Sequence, residues 1–155
     1  MADGTVLNPG SGGDTIATDD VGGVKYQRIK LSNGPDGVAQ DGWTLARLLS
    51  AATTNATSLK ASAGVLGIVY AVNLNAAVRY LKFYNKASAP TVGSDTPVLT
   101  MPIPASATGA GFAINLGPNG LSFSTGIAYA ITTGVADADT AAVAANEIIL
   151  TLGYA

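Results

Sequence analysis

Apolar and polar residues alternate with a period of two through most of the second half of the chain. Ile68, Tyr70, Val72 and Leu74 share one face of 66–74, and in 78–84 Leu81 and Phe83 stand opposite Tyr80, Lys82 and Tyr84. The alternation returns in Phe112, Ile114 and Leu116, in Ile127, Tyr129 and Ile131, and in Ile148, Leu150, Leu152 and Tyr154. A period of two sends successive side chains to opposite faces, so each run predicts a strand with one buried side. Only Asn75, Ala76 and Ala77 separate the first two runs, which predicts a hairpin. Pro102 and Pro104 assign 98–103 to a sheet edge, because proline cannot donate to a ladder. Gly117-Pro118-Asn119-Gly120 predicts a turn, and 58–61 a short strand.

The first third of the chain follows other rules. Over 41–52 the period changes to about 3.6, with Leu45, Leu48, Leu49 and Ala52 at i, i+3, i+4 and i+7 and Asp41 as a cap. This spacing predicts a helical insert, ended by the polar, β-branched run 53–57. Residues 24–31 read as a strand whose apolar set changes face midway, the mark of a bulge or an edge. Residues 1–23 are rich in Gly, Asp and Thr and hold too little apolar surface to offset their ordering entropy. They predict an extended N-terminal arm that orders on a partner, followed by one domain over 24–155. About eight strands with one short helix make an all-β protein, an antiparallel β-sandwich whose long crossings favour a jelly roll.

Composition narrows the chemistry. With 155 residues the chain is long enough for a full core, and its 12% charged fraction is about half the ~25% usual in soluble domains. There is no histidine, hence no imidazole base and no Ser-His-Asp triad, and no cysteine, hence no thiol nucleophile, disulfide or zinc knuckle. A net charge of −2 argues against nucleic acid as a partner. The N-terminus reads as no secretory signal, and 63–78, interrupted by Asn73 and Asn75, falls short of a membrane span.

Candidate sites are few. Asp14, Asp19 and Asp20, and separately Asp137 and Asp139, are the only carboxylate clusters. Neither follows a calcium-loop pattern nor forms a pair facing across a cleft, and Asp137 and Asp139 read as turn residues. Gly10-Ser11-Gly12-Gly13-Asp14-Thr15 lacks the lysine, the preceding strand and the following helix of a phosphate loop. Asn55-Ala56-Thr57 is formally a glycosylation acceptor. Lys25, Arg28 and Lys30 form one basic group and Arg79, Lys82 and Lys86 another, both interleaved with aromatics. These read as solvated faces, or rims for an acidic partner, rather than a single-strand nucleic-acid groove. Ala71, Ala113, Ala128, Ala130, Thr132 and Thr151 make a flat surface of low charge that predicts homo-oligomeric assembly.

Three stretches resemble small virion structural proteins of tailed bacteriophages: 12–31, reading GGDTIATDDVGGVKYQRIKL; 77–86, reading AVRYLKFYNK, with Pro90-Thr91-Val92-Gly93 and Pro97 behind it; and 126–134, reading GIAYAITTG, followed by Asp137, Asp139 and Leu152-Gly153-Tyr154. The resemblance covers about half the chain. It implies a non-enzymatic virion component with no catalytic, cofactor or metal residues, assembled in the bacterial cytoplasm. The expected role is a capsid decoration or cement protein that forms a dimer or trimer and clamps neighbouring major capsid subunits. Asp14, Thr15, Ile16, Asp19, Asp20, Lys25, Tyr26, Arg28 and Lys30 are the expected partner-binding residues. The alternatives are a tail, baseplate or head-fibre module for host attachment, and a carbohydrate-binding module using Trp43 and the tyrosines.

Overall fold

The computed structural model describes residues 4–6, 15–27, 43–117 and 119–155. The chain divides into two compact units, residues 1–33 and residues 34–155. In the first, β1 (Gly4–Val6), β2 (Thr15–Val21) and β3 (Val24–Gln27) form an antiparallel sheet in the order β1-β2-β3. Gly22 and Gly23 close the β2–β3 hairpin with φ of 64° and 87°. A two-residue hairpin loop with positive φ at both positions follows the strand twist, and glycine adopts it without strain. The expected boundary after residue 23 therefore falls at the end of this turn, and β3 belongs with β2 rather than with the sandwich. Residues 28–31 of the expected strand lie outside the described residues.

The second unit is built from β4 (Thr44–Leu49), β5 (Thr57–Lys60), β6 (Gly64–Asn73), β7 (Arg79–Asn85), β8 (Leu99–Ile103), β9 (Gly111–Asn115), β10 (Leu121–Phe123), β11 (Ile127–Thr132) and β12 (Ile148–Tyr154). Two antiparallel sheets result: β10-β6-β12-β4, with β9 also on β6, and β5-β11-β7-β8. Their inner faces pack together in one core. Leu66, Val69, Leu150 and Leu152 from the first sheet meet Leu81, Phe83, Ile103, Ile127, Tyr129 and Ile131 from the second. The all-β sandwich expected from the period of two is the observed class, and β8 with its Pro102 lies at a sheet edge.

Two expectations are corrected. The 41–52 insert is no helix: β4 pairs along its length with β12, with Leu48 opposite Leu150 and Ala46 opposite Leu152. The helical spacing arose because inward Leu48 and outward Leu45 and Leu49 together mimic i, i+3, i+4; pairing with β12 overrides that pattern. Asp41, the expected cap, lies outside the described residues.

Second, 66–74 and 78–84 form no hairpin, since β6 and β7 belong to different sheets. Buried Asn73 accepts from the Asn75 N–H at 2.9 Å and donates through Nδ2 to the carbonyls of Ala77 at 2.9 Å and Ile103 at 3.2 Å. The Ala77 N–H donates to Asn75 Oδ1 at 2.8 Å. These side chains satisfy the backbone of a crossing link, which replaces the ladder a hairpin would have formed.

The expected turn over 117–120 is present, the Gly120 N–H donating to the Gly117 carbonyl at 3.3 Å, and it interrupts an edge strand without reversing it. β9 pairs with β6 from Gly111 opposite Val72 to Asn115 opposite Ile68, and β10 continues along the same strand from Leu121 opposite Leu66. β9 and β10 are one interrupted edge position. Counting them so, and numbering positions from β4 in chain order, the sheets read first-eighth-third-sixth and second-seventh-fourth-fifth.

Candidate interface surfaces

The two sheets treat their outer faces in opposite ways. On the β5-β11-β7-β8 sheet the chain covers its own surface. Lys82, Tyr84, Ala128, Ala130 and Thr132 are all buried there, with Ala56 and Val92 packed over Tyr84, Ala128 and Ala130. Lys82 donates from Nζ to the Ala136 carbonyl at 2.6 Å, which ties the loop after β11 onto the sheet. Asp139 folds that loop by accepting through Oδ1 from the Gly134 and Ala141 N–H groups at 3.3 and 3.1 Å. In the loop before β8, Asp95 Oδ2 accepts from Lys86 Nζ at 2.5 Å and from the Thr91 N–H at 2.7 Å. The Lys86 hydrogen bond first, and the Thr91 N–H second, hold the Asp95 carboxyl below the usual carboxylate range.

Arg79 and Glu147 form a largely buried ion pair, and Glu147 also accepts from the Ala144 N–H at 3.0 Å. Within the basic group, Arg79 and Lys82 are therefore not part of a solvated face, whereas Lys86 stays partly exposed beside Asp95. Each cation is bound by a carboxylate or carbonyl of this chain. The same covering corrects the expected assembly surface: Ala71 faces the core, and Ala128, Ala130 and Thr132 are buried.

The other sheet leaves its outer face open. Register places three rows across it: Leu49, Ile149, Val72 and Gly111; Arg47, Thr151, Tyr70 and Ala113; Leu45, Gly153, Ile68 and Asn115. Leu45 is 65% exposed, Leu49 44% and Tyr70 43%, values that on a strand mark uncovered apolar surface. Ala113 and Thr151, two of the expected small-residue positions, do lie here. Trp43 roofs one end by lying over Gly67, where an added Cβ would run into the indole ring. Arg47 is the single charged residue in these rows and sits on β4, a sheet edge. A charge on an edge strand discourages indiscriminate pairing with other strands.

Of the nine expected partner-binding residues, Thr15, Ile16, Asp19 and Asp20 lie on β2 and Lys25 and Tyr26 on β3. The ladder sets Asp19 opposite Tyr26 and Asp20 opposite Lys25. Asp14, Arg28 and Lys30 lie outside the described residues. Val21, Val24 and Tyr26 are exposed around this hairpin. The open face of the sandwich was missed, and the signal was at hand: Leu45 and Leu49 read as the core stripe of a helix, whereas as strand residues they point the same way as Arg47.

No helix among the described residues is long and apolar enough to cross a membrane. Among the same residues no group of three or more Asp or Glu side chains converges as a metal site. No family model, no curated protein and no solved structure matches this chain.

Proposed function

We propose that this chain is a structural, non-enzymatic virion protein that decorates a phage head and cements neighbouring major capsid subunits. One observation carries the reading: the sandwich neutralises and covers one outer face with its own loops while leaving the opposite face largely apolar and nearly uncharged. That asymmetry is what a module with one committed contact side needs. We further infer a jelly roll, supported by the order first-eighth-third-sixth against second-seventh-fourth-fifth. In it the connections cross between the sheets as in two nested Greek keys, an architecture used in viral capsids and lectins. That link is one of fold-level analogy.

The N-terminal sheet supports the same reading. It is a small unit with Val21, Val24 and Tyr26 exposed, so burial of these side chains against a neighbour would stabilise it. The open face of the sandwich measures about 400 Å² per copy, from four strands ~4.8 Å apart and three rows ~6.8 Å apart. A pair of copies meeting there alone would bury less than the ~1,200 Å² of a standard interface. A repeated shell supplies the missing area through several simultaneous contacts.

The test is to mix purified protein with heads that lack it. Expected are co-sedimentation at saturating copy numbers in the hundreds and a higher temperature of DNA release. Attachment at a few copies per particle, confined to the tail, would assign it to the tail or baseplate instead.

A further inference from the structure

The sandwich has four sheet edges and treats them unequally. β8 carries Pro102, which has no N–H for a ladder. β5 is four residues long, and its register on β11 shifts between Ile127 and Ala128. β9 and β10 share an edge interrupted by the 117–120 turn. β4 has none of these devices: its six residues pair with β12 from Thr44 to Leu49 without a register shift, and no described strand pairs with its other side. Such an edge leaves a row of N–H and C=O groups open to a further strand. Its side chains are open as well. Leu45 and Leu49 are exposed on the outer face, and Ala46 and Leu48 are only partly buried on the inner one. Arg47, exposed between the two leucines, makes no ion pair, whereas Arg79 and Lys86 each hold a carboxylate of this chain.

We infer that the β4 edge binds, by strand addition, an extended acidic segment of a partner protein, with a carboxylate opposite Arg47 and apolar side chains two residues to either side, opposite Leu45 and Leu49. Directly opposite residues of an antiparallel pair point to the same face, with Cβ atoms ~4.5–5.5 Å apart. A partner residue opposite Arg47 therefore meets its charge, and an opposite charge there stabilises the pairing where a like charge opposes it. Main-chain hydrogen bonds along the edge supply affinity, and side chains at alternate positions choose the partner. A wholly apolar strand would leave the guanidinium without a counter-charge. A second copy is the wrong occupant for the same reason: the antiparallel register that sets Leu45 against Leu49 across a two-fold axis sets Arg47 against itself. The inference concerns the edge of the sheet rather than its open face, and it is independent of the capsid reading.

The experiment uses the full chain, isotope-labelled, titrated with end-capped seven-residue threonine peptides that carry valine at the second and sixth positions and either glutamate or lysine at the fourth. The glutamate peptide is expected to shift the amides of residues 44–49 saturably. The lysine peptide should bind about fivefold more weakly, the loss that one cross-strand charge pair produces. N-methylating the alternate peptide amides that turn toward β4 should abolish binding, and N-methylating the other alternate set should leave it, a signature of strand addition that simple charge attraction lacks. Arg47→Glu, a change at an exposed position, should reverse the order, so that the lysine peptide binds more tightly. No saturable shift with the glutamate peptide, shifts centred on Tyr70 and Ala113 instead of β4, equal binding of the two peptides, or an unchanged order in Arg47→Glu would each overturn the inference. Self-association of the chain through residues 44–49 would overturn it too, by making a second copy the occupant.

Discussion

Gly67 shows how one missing side chain organises a region. A Cβ there would run into the Trp43 ring, so Gly67→Ala should displace the indole from the end of the open face and cost about 1 to 3 kcal/mol by overpacking. Trp43 is the only tryptophan, so its emission reports this shift directly. Ionisable residues make an equally local prediction. Asp95 has a lowered folded pKa, so its contribution is present above the unfolded value of ~3.9 and is lost as pH falls through the lower folded value. Tyr84 and Tyr129 have raised pKa values, both chiefly from burial, so their contribution is complete below 10.0 and is lost as pH rises through the higher folded values. Stability should therefore fall at both extremes. Asp95→Asn should blunt only the acid limb in a pH series of thermal melts, and Tyr129→Phe only the alkaline limb.

At the scale of elements, β4 and β12 are joined at their ends by a hub the alternation gives no hint of. Ser50 Oγ accepts from the Glu147 and Ile148 N–H groups, each at 3.0 Å, and donates to the Ala144 carbonyl at 2.8 Å. Glu147 then meets Arg79 of β7, the two side chains being 5% and 12% exposed. Removing one member of so buried a pair leaves the other uncompensated, so Glu147→Ala should cost about 3 to 5 kcal/mol. Replacing both with apolar residues should recover much of that loss, which a double-mutant cycle in urea measures. What was legible in the sequence follows from the same physics. Strands with one side in the core, such as β11 and β12, were readable because burial imposes the period of two. β4 was not, because at an edge both of its faces carry leucine. The β6–β7 crossing was unreadable because Asn73 and Asn75, two ordinary turn residues in sequence, owe their arch to a carbonyl of β8 thirty positions away. The open face was not legible, because Leu45, Leu49 and Tyr70 become one patch only through the pairing of β4, β12, β6 and β9.

For the whole molecule, two separable surfaces follow from two separate units. Among the described residues, every member of the main buried core lies between Leu66 and Leu152, so deleting residues 1–33 should leave the sandwich folded with nearly the same melting temperature. If the N-terminal sheet is a docking element, the same deletion should sharply lower affinity for heads, since its exposed Val21, Val24 and Tyr26 are buried only on a partner. The open face acts differently. Leu45→Lys and Leu49→Lys add charge to solvent-exposed strand positions, so folding should change by less than about 0.5 kcal/mol while contacts through that face weaken. Arg47→Glu reverses the only charge there, and its effect should shrink with salt, because a rim charge is screened over about 8 Å at physiological ionic strength. Co-sedimentation of each variant with heads at low and high salt separates the three behaviours. Loss of binding in the truncation, salt-independent weakening in Leu49→Lys and salt-dependent weakening in Arg47→Glu would assign both surfaces to the capsid contact. Full binding by the truncation would leave the sandwich face as the sole attachment, and full binding by the face variants would reserve attachment to the N-terminal sheet.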